Sequence, residues 1–198
     1  MSKGEETRSS VLGSALSLAT QVGLEGLTIG KLAEHVGMSK SGLFAHFSSK
    51  ENLQVAILDE ATARFVALVV APALKKPRGE ARLRALFENW LAWSKVDFMP
   101  GGCIFIQAGV ELDDRPGPAL DRYLASQKDW LGVLAGAARI AIEEKHFRKD
   151  LDVELLAHEM YSLAGGYHFL RRIGEPARAE RRTRAAFERI LTDARLPT

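Results

Sequence analysis

The stretch TIGKLAEHVGMSKSGLFAHFSSKENL, residues 28–53, decides how the N-terminal part of the chain folds. Ile29, Leu32, Ala33 and Val36 recur at i, i+3, i+4 and i+7, which gives a helix of about two turns one apolar face. Thr28 is placed to cap that helix and Gly37 to stop it: a hydroxyl accepts from a free first-turn N–H, and glycine leaves a helix with positive φ at little cost. Ser39 is placed to cap a second short helix through Ala45, and either Ser48 or Ser49 a long one starting near Lys50. Two short helices joined by a tight glycine turn make a helix-turn-helix, whose second helix enters a DNA major groove while the first braces it. Ala33 is small where the two backbones must approach, and Val36 and Leu43 can fill the seam.

The outward side of the same stretch is polar in a particular way. Ser39, Lys40 and Ser41 crowd the N-terminus of the second helix, where free N–H groups and the helix dipole favour a phosphate or a base edge. Thr28 and Lys50 lie at two other helix N-termini, where contacts to flanking phosphates would fix the register on a duplex, and His46 can serve the same purpose. The whole chain carries 27 basic and 25 acidic residues, so any attraction to nucleic acid has to be local rather than global.

Outward from this motif the helical period continues in both directions, which predicts an all-α chain. Before it, Val11, Leu12, Ala15, Leu18, Ala19 and Val22 fall on one face of a helix ending at Gly23. After it, Lys50 to Val70 has no breaker and Pro72 is expected to end the helix. Further helices are predicted around Leu83–Trp90, closed by Pro100-Gly101-Gly102; around Cys103–Leu112, closed by DDRPGP at 113–118; from Ala119 to about Phe147; from Asp152 to Arg172; and from Pro176 to Asp193. The hydrophobic content of 46% suffices for a buried core, and one cysteine, Cys103, permits no internal disulfide. The polar start MSKGEETRSS and the lack of any run of about 20 apolar residues lead us to expect an unexported cytoplasmic protein with no membrane partner.

The pattern T-x-x-x-L-A-x-x-x-G-x-S-x-x-x-L-F-x-H-F-x-x-K-x-x-L, embedded in residues 8–55, resembles the N-terminal module of TetR-family transcriptional regulators. The resemblance implies a three-helix DNA-binding domain at 1–48 and a helical-bundle effector-binding and dimerisation domain at 49–198. It places Thr28, Ser39, Lys40, Ser41, Gly42, Phe44, His46 and Lys50 where that family meets DNA. At Phe44 the chain departs from the family's common tyrosine, and its ring cannot donate a hydrogen bond to phosphate. The implied protein is a repressor that binds an inverted-repeat operator as a homodimer, joined through its last two helices, and is released by a small-molecule effector. The alternative is a helical binding or scaffolding protein in which the helix-turn-helix is architecture.

Beyond residue 55 no catalytic pattern is found, so no enzyme, metal or cofactor is expected. His158-Glu159 begins like a zinc-protease helix, but Ser162 stands where the second histidine belongs. Aromatic and small side chains recur instead: Trp90, Trp93, Phe98, Cys103, Phe105, Trp130, Tyr161, Tyr167 and His168. Such residues line small-molecule sites between helices, and the family resemblance implies an effector of unspecified chemistry among them. GGCIF followed by DDRPGP also resembles a subset of that family. Cys103, flanked by Ile104, Phe105 and Ile106, reads as a buried apolar residue rather than a redox sensor. Eight arginines between Arg171 and Arg195 flank the stripe Phe187, Ile190 and Leu191, and with Glu175, Glu180, Glu188 and Asp193 they read as a solvated face.

Overall fold

A computed structural model describes residues 3–196. Helix α1 (Lys3–Val22) is followed by α2 (Ile29–Val36), α3 (Lys40–Phe47) and α4 (Lys50–Phe65). A π-helical turn, Val66–Val70, then leads into the short α5 (Ala71–Leu74). The remaining helices are α6 (Glu80–Trp93), α7 (Ile104–Leu112), α8 (Pro118–Glu143), α9 (Val153–Ile173) and α10 (Pro176–Ala194). Among the described residues there is no strand, and one isolated bridge pairs Phe147 with Arg195. The all-α expectation, with a three-helix helix-turn-helix at the N-terminus, therefore holds. Among the described residues no helix is long and apolar enough to cross a membrane.

The chain divides into two compact units. One takes the residues up to Val66 together with Trp93–Ser126, and the other takes Ala67–Ala92 together with the chain from Gln127 onward. In the first, α1 buries Val11, Leu12, Ala15, Leu16, Ala19 and Thr20. The expected face is thus rotated by part of a turn: Leu18 is half-buried and Val22 exposed, while Leu16 and Thr20 are covered. The cause lies far along the chain. The Gly101 N–H donates to Thr20 Oγ1 at 3.0 Å and Gln107 Nε2 to the Thr20 carbonyl at 3.0 Å, so the segment leading into α7 packs over that edge of α1.

Two departures from the sequence reading concern helix ends. Pro72 does not end the helical run that starts at Lys50; α4 gives way after Phe65 to the π turn. This wide turn lets the chain restart as α5 with Pro72 in the first turn, where its missing N–H is no loss. In the second unit Asn89 Nδ2 donates to the Val69 carbonyl at 2.9 Å, satisfying a group of that irregular turn. The α8 helix ends at Glu143 rather than near Phe147, because Lys145 takes φ 61° and His146 N–H turns back to the Ala141 carbonyl at 2.9 Å. That reversal buries Phe147 and lets Arg148 N–H donate to the Ala194 carbonyl at 2.9 Å. In the same unit Leu156, Ala157, Met160 and Tyr167 of α9 and Ala179, Thr183, Phe187 and Leu191 of α10 are buried.

Candidate nucleic-acid interface

The helix-turn-helix is held by its caps. Lys31 N–H donates to Thr28 Oγ1 at 3.1 Å, Gly42 N–H to Ser39 Oγ at 3.1 Å, and Asn52 N–H to Ser49 Oγ at 3.0 Å. Ser49 rather than Ser48 therefore caps α4, and Ser48 makes the reversal after α3 at φ 61°. Gly37 adopts φ 68°, and Met38 N–H closes on the Ala33 carbonyl at 2.9 Å, giving the tight turn between α2 and α3. Leu32, Ala33, Leu43 and Phe47 are buried and fix the two helices to each other; Val36 only half fills the seam. Ser39→Ala is expected to lower stability by about 1 kcal/mol, and Ser39→Asp to retain most of it. A urea melt in which Ser39→Ala matched wild type would contradict this.

With the caps set, the N-terminus of α3 presents Ser39, Lys40 and Ser41 to solvent, and the two serine hydroxyls lie 3.2 Å apart. Thr28 and Phe44 are also exposed, Phe44 by 54%, so the ring is not part of the core. Gly42, His46 and Lys50 are half-buried. Lys40 reaches back toward α2: a Cβ added at Gly30 would lie 3.3 Å from Lys40 Cε and 3.8 Å from Thr28 Oγ1. Lys40 and Thr28 thus converge on the N-terminus of α2. At the other end of α3 the Arg8 guanidinium lies 5.4 Å from the centroid of the Phe47 ring, adding a cation that the motif alone does not reveal.

Lys50 is committed elsewhere. Its ammonium donates to the Glu25 carbonyl at 2.7 Å and to Glu25 Oε2 at 2.9 Å. The Lys50 ammonium, then the Gln54 amide, hold the Glu25 carboxyl below the usual carboxylate range. Glu25 lies outside the motif as read from sequence, and nothing local in GLEGL marks it as a partner of α4.

The proposed effector residues separate into two aromatic groups. In the first unit Trp93 packs edge-on against Phe65 with centroids 5.3 Å apart and against Phe98 at 5.6 Å, while Phe105 lies 5.9 Å from Phe65. Arg64 covers Phe98 at 4.8 Å. Cys103 is buried beside this group; burial pushes its thiol up, against a smaller pull from the Trp93 indole. The Trp93 N–H has that sulfur beside it but makes no hydrogen bond. In the second unit Trp90 packs edge-on to Tyr167 at 5.6 Å, and Phe87 stacks on Phe187 at 3.9 Å. Tyr167 OH is buried without a hydrogen-bond partner, and Tyr161 OH donates to Gln127 Oε1 at 3.1 Å. Burial first, then Arg172 and Arg171, hold the buried His168 below the ordinary histidine value. Trp130 is half-buried on α8. Phe65, Phe87 and Phe187 also belong to these groups; the sequence places Phe187 on an apolar stripe but assigns none of the three to an effector site, since only the folded contacts bring them in.

An open groove of about 640 Å³ runs between α9 and α10, lined in part by Ser162, Leu163, Gly166, Tyr167, Arg182 and Ile190. Beside it α9 exposes Leu155, Phe169, Leu170 and Ile173, the last by 80%.

Two family descriptions match the chain. "Bacterial regulatory proteins, tetR family" covers residues 11–57, and "Tetracyclin repressor-like, C-terminal domain" covers residues 79–187. Among curated relatives, the HTH-type transcriptional repressor AcnR of Corynebacterium diphtheriae is 34% identical over 85 residues, spanning 43% of this chain and 45% of the relative. The AcnR of Corynebacterium glutamicum is 25% identical over 169 residues, spanning 83% of this chain and 81% of the relative. Among solved structures, a TetR transcriptional regulator from Chloroflexus aurantiacus shares the fold with a TM-score of 0.87 over 100% of both chains at 24% identity. AibR, solved in complex with isovaleryl coenzyme A and operator DNA, shares it with a TM-score of 0.73 at 20% identity, over 91% of this chain and 97% of AibR.

Proposed function

Since the chain belongs to the TetR family of DNA-binding transcriptional regulators, we propose that it is a repressor, not an enzyme, which binds an inverted-repeat operator as a homodimer and is released by a small molecule. Residues 1–48 form the DNA-binding domain, joined in its contacts by Lys50, and residues 49–198 form the effector-binding and dimerisation domain. Ser39, Lys40 and Ser41 read base edges, while Thr28, Gly42, His46 and Lys50 contact phosphates and set the register. Phe44 supplies an apolar contact where a tyrosine would donate a hydrogen bond. The protein acts in the cytoplasm, where its operator lies.

One observation carries this reading. The three-residue polar cluster at the N-terminus of α3 is exposed, although the helix behind it is anchored by buried Leu43 and Phe47. Packing alone has no use for Lys40 and Ser41 there. A rigid helix presenting small donors and a cation is what major-groove readout requires.

The dimer is proposed to form through α9 and α10. On α9 Leu155 is exposed near the start, and Phe169, Leu170 and Ile173 near the end. The groove beside this helix holds both signs of charge, Arg182 and Arg189 with Glu159 and Asp193, which suits a second copy turned by a twofold axis. The effector is proposed to enter one of the aromatic groups, where the unpaired Tyr167 hydroxyl or Trp93 indole offers a donor to an acceptor atom. An effector that binds the DNA-free arrangement better than the DNA-bound one shifts the equilibrium by that difference in affinity.

Substitution at α3 tests the DNA reading. Lys40→Ala is expected to weaken operator binding and to lower the salt slope by about 0.9 for each phosphate it no longer neutralises. Ser41→Ala is expected to cost about 1–3 kcal/mol of discrimination against a substituted base pair while leaving non-specific binding nearly unchanged. Fluorescence anisotropy across a salt series checks both, and variants that bind as wild type would contradict the assignment.

A further inference from the structure

The carboxylate of Glu25 serves two cations from different elements. Its Oε2 accepts from Lys50 Nζ at 2.9 Å and from Arg115 Nη1 at 2.8 Å, and its Oε1 accepts from Gln54 Nε2 at 2.8 Å. Lys50 and Gln54 stand in the first turns of α4; Arg115 stands in the turn between α7 and α8. The main chain is pinned at the same place, with Glu25 N–H donating to Glu111 Oε2 of α7 at 2.9 Å. The α7–α8 turn also lies close to α4, since a Cβ added at Gly117 would come 2.7 Å from Glu51 Oε1.

We infer that Glu25 is a positioning residue for DNA binding and that Arg115 controls it: the two cations compete for one carboxylate oxygen, so the α7–α8 turn sets how readily Lys50 leaves Glu25 for a phosphate. This inference rests on the DNA-binding reading above. A carboxylate carries one negative charge, and here two positive charges face it. When a phosphate draws Lys50 away, Arg115 remains and Glu25 stays neutralised. If Arg115 is withdrawn, Lys50 becomes the only cation left to Glu25, and its release strands a partly buried carboxylate. A shift of the α7–α8 turn therefore changes DNA affinity without moving the recognition helix. The low proton affinity of Glu25 keeps the carboxylate charged throughout the neutral range.

The test uses the full chain and a labelled random-sequence duplex in a salt series, so that it reads phosphate contacts and needs no known operator. Arg115→Ala is expected to weaken binding about threefold to tenfold, and Glu25→Gln to strengthen it by a similar factor, the size expected of a half-exposed ion pair counted once per protomer. The double variant is expected to bind like Glu25→Gln alone, because Arg115 acts only through that carboxylate. Arg115→Lys is expected to restore most of the loss. A turn that merely supports the fold would give losses in both single variants that add in the double, and that result overturns the inference. So does an Arg115→Ala variant that binds as wild type while Lys40→Ala is weakened. If Lys40→Ala is also without effect, the DNA-binding reading fails and the inference fails with it.

Discussion

Gly101→Ala is expected to destabilise the first unit by about 3 kcal/mol or more. A Cβ at this position would lie 1.5 Å from the Thr20 carbonyl oxygen, 2.1 Å from its carbon and 2.8 Å from the Gln21 nitrogen. All three are backbone atoms of α1, so no rotamer change relieves the clash. The segment before α7 would have to withdraw from α1, giving up the Gly101 N–H bond to Thr20 Oγ1 and the two bonds of the Gln107 amide to the Thr20 and Gly101 carbonyls. It would also loosen the buried Met99, Cys103 and Ile104. Gly102 provides the contrast. It has φ 101°, so Gly102→Ala meets a conformational penalty, expected at about 1–3 kcal/mol. Urea unfolding of both variants checks the pair; a Gly101→Ala protein within 1 kcal/mol of wild type, about the worth of a single hydrogen bond, would mean that α1 and the 101–107 segment are not packed as described.

Phe187→Ala is expected to cost about 3–5 kcal/mol in the second unit. The ring is buried and lies on Phe87 at 3.9 Å between centroids with planes 10° apart. Its removal leaves a cavity under α10 bordered by a second aromatic deprived of its partner, and the neighbours Thr183 and Leu191 are themselves buried on the same stripe. Phe187→Leu keeps most of the volume and is expected to cost less than half as much. Because α10 also carries the proposed dimer surface, subunit dissociation should rise in parallel with the loss of stability. An alanine variant with unchanged urea midpoint and unchanged mass in solution would contradict the packing.

What is legible in the sequence is what is local. Thr28 and Ser39 are readable as caps because a capping side chain bonds within three residues of itself, and Gly37 because a left-handed turn selects glycine. The exposed cluster at Ser39–Ser41 is legible for the same reason, being defined by its place on one short helix. The periodicity misplaces the face of α1 at Leu18 and Val22 because the residue that claims Thr20 is Gly101, 81 positions away. The π turn at Val66–Val70 is written in no local pattern, since a run of β-branched and aliphatic residues reads as plain helix. In the sequence Lys50 looks free for phosphate; in the fold Glu25, 25 residues earlier, lies beside it. The aromatic side chains suffer most from this limit: helical spacing cannot tell that Phe65 joins Trp93 and Phe105, or that Phe87 and Phe187 join Trp90 and Tyr167.

The exposed N-terminus of α3 is expected to read DNA sequence. Selection of duplexes from a random-sequence library on the purified full chain, at several salt concentrations and with Ser41→Ala as the comparison, tests it most directly. A short inverted repeat that outcompetes random duplex is expected to be enriched, with the preference at the affected base pairs relaxed in the variant. Retention of duplexes without any common sequence at every salt concentration, or an identical preference in wild type and variant, would contradict it.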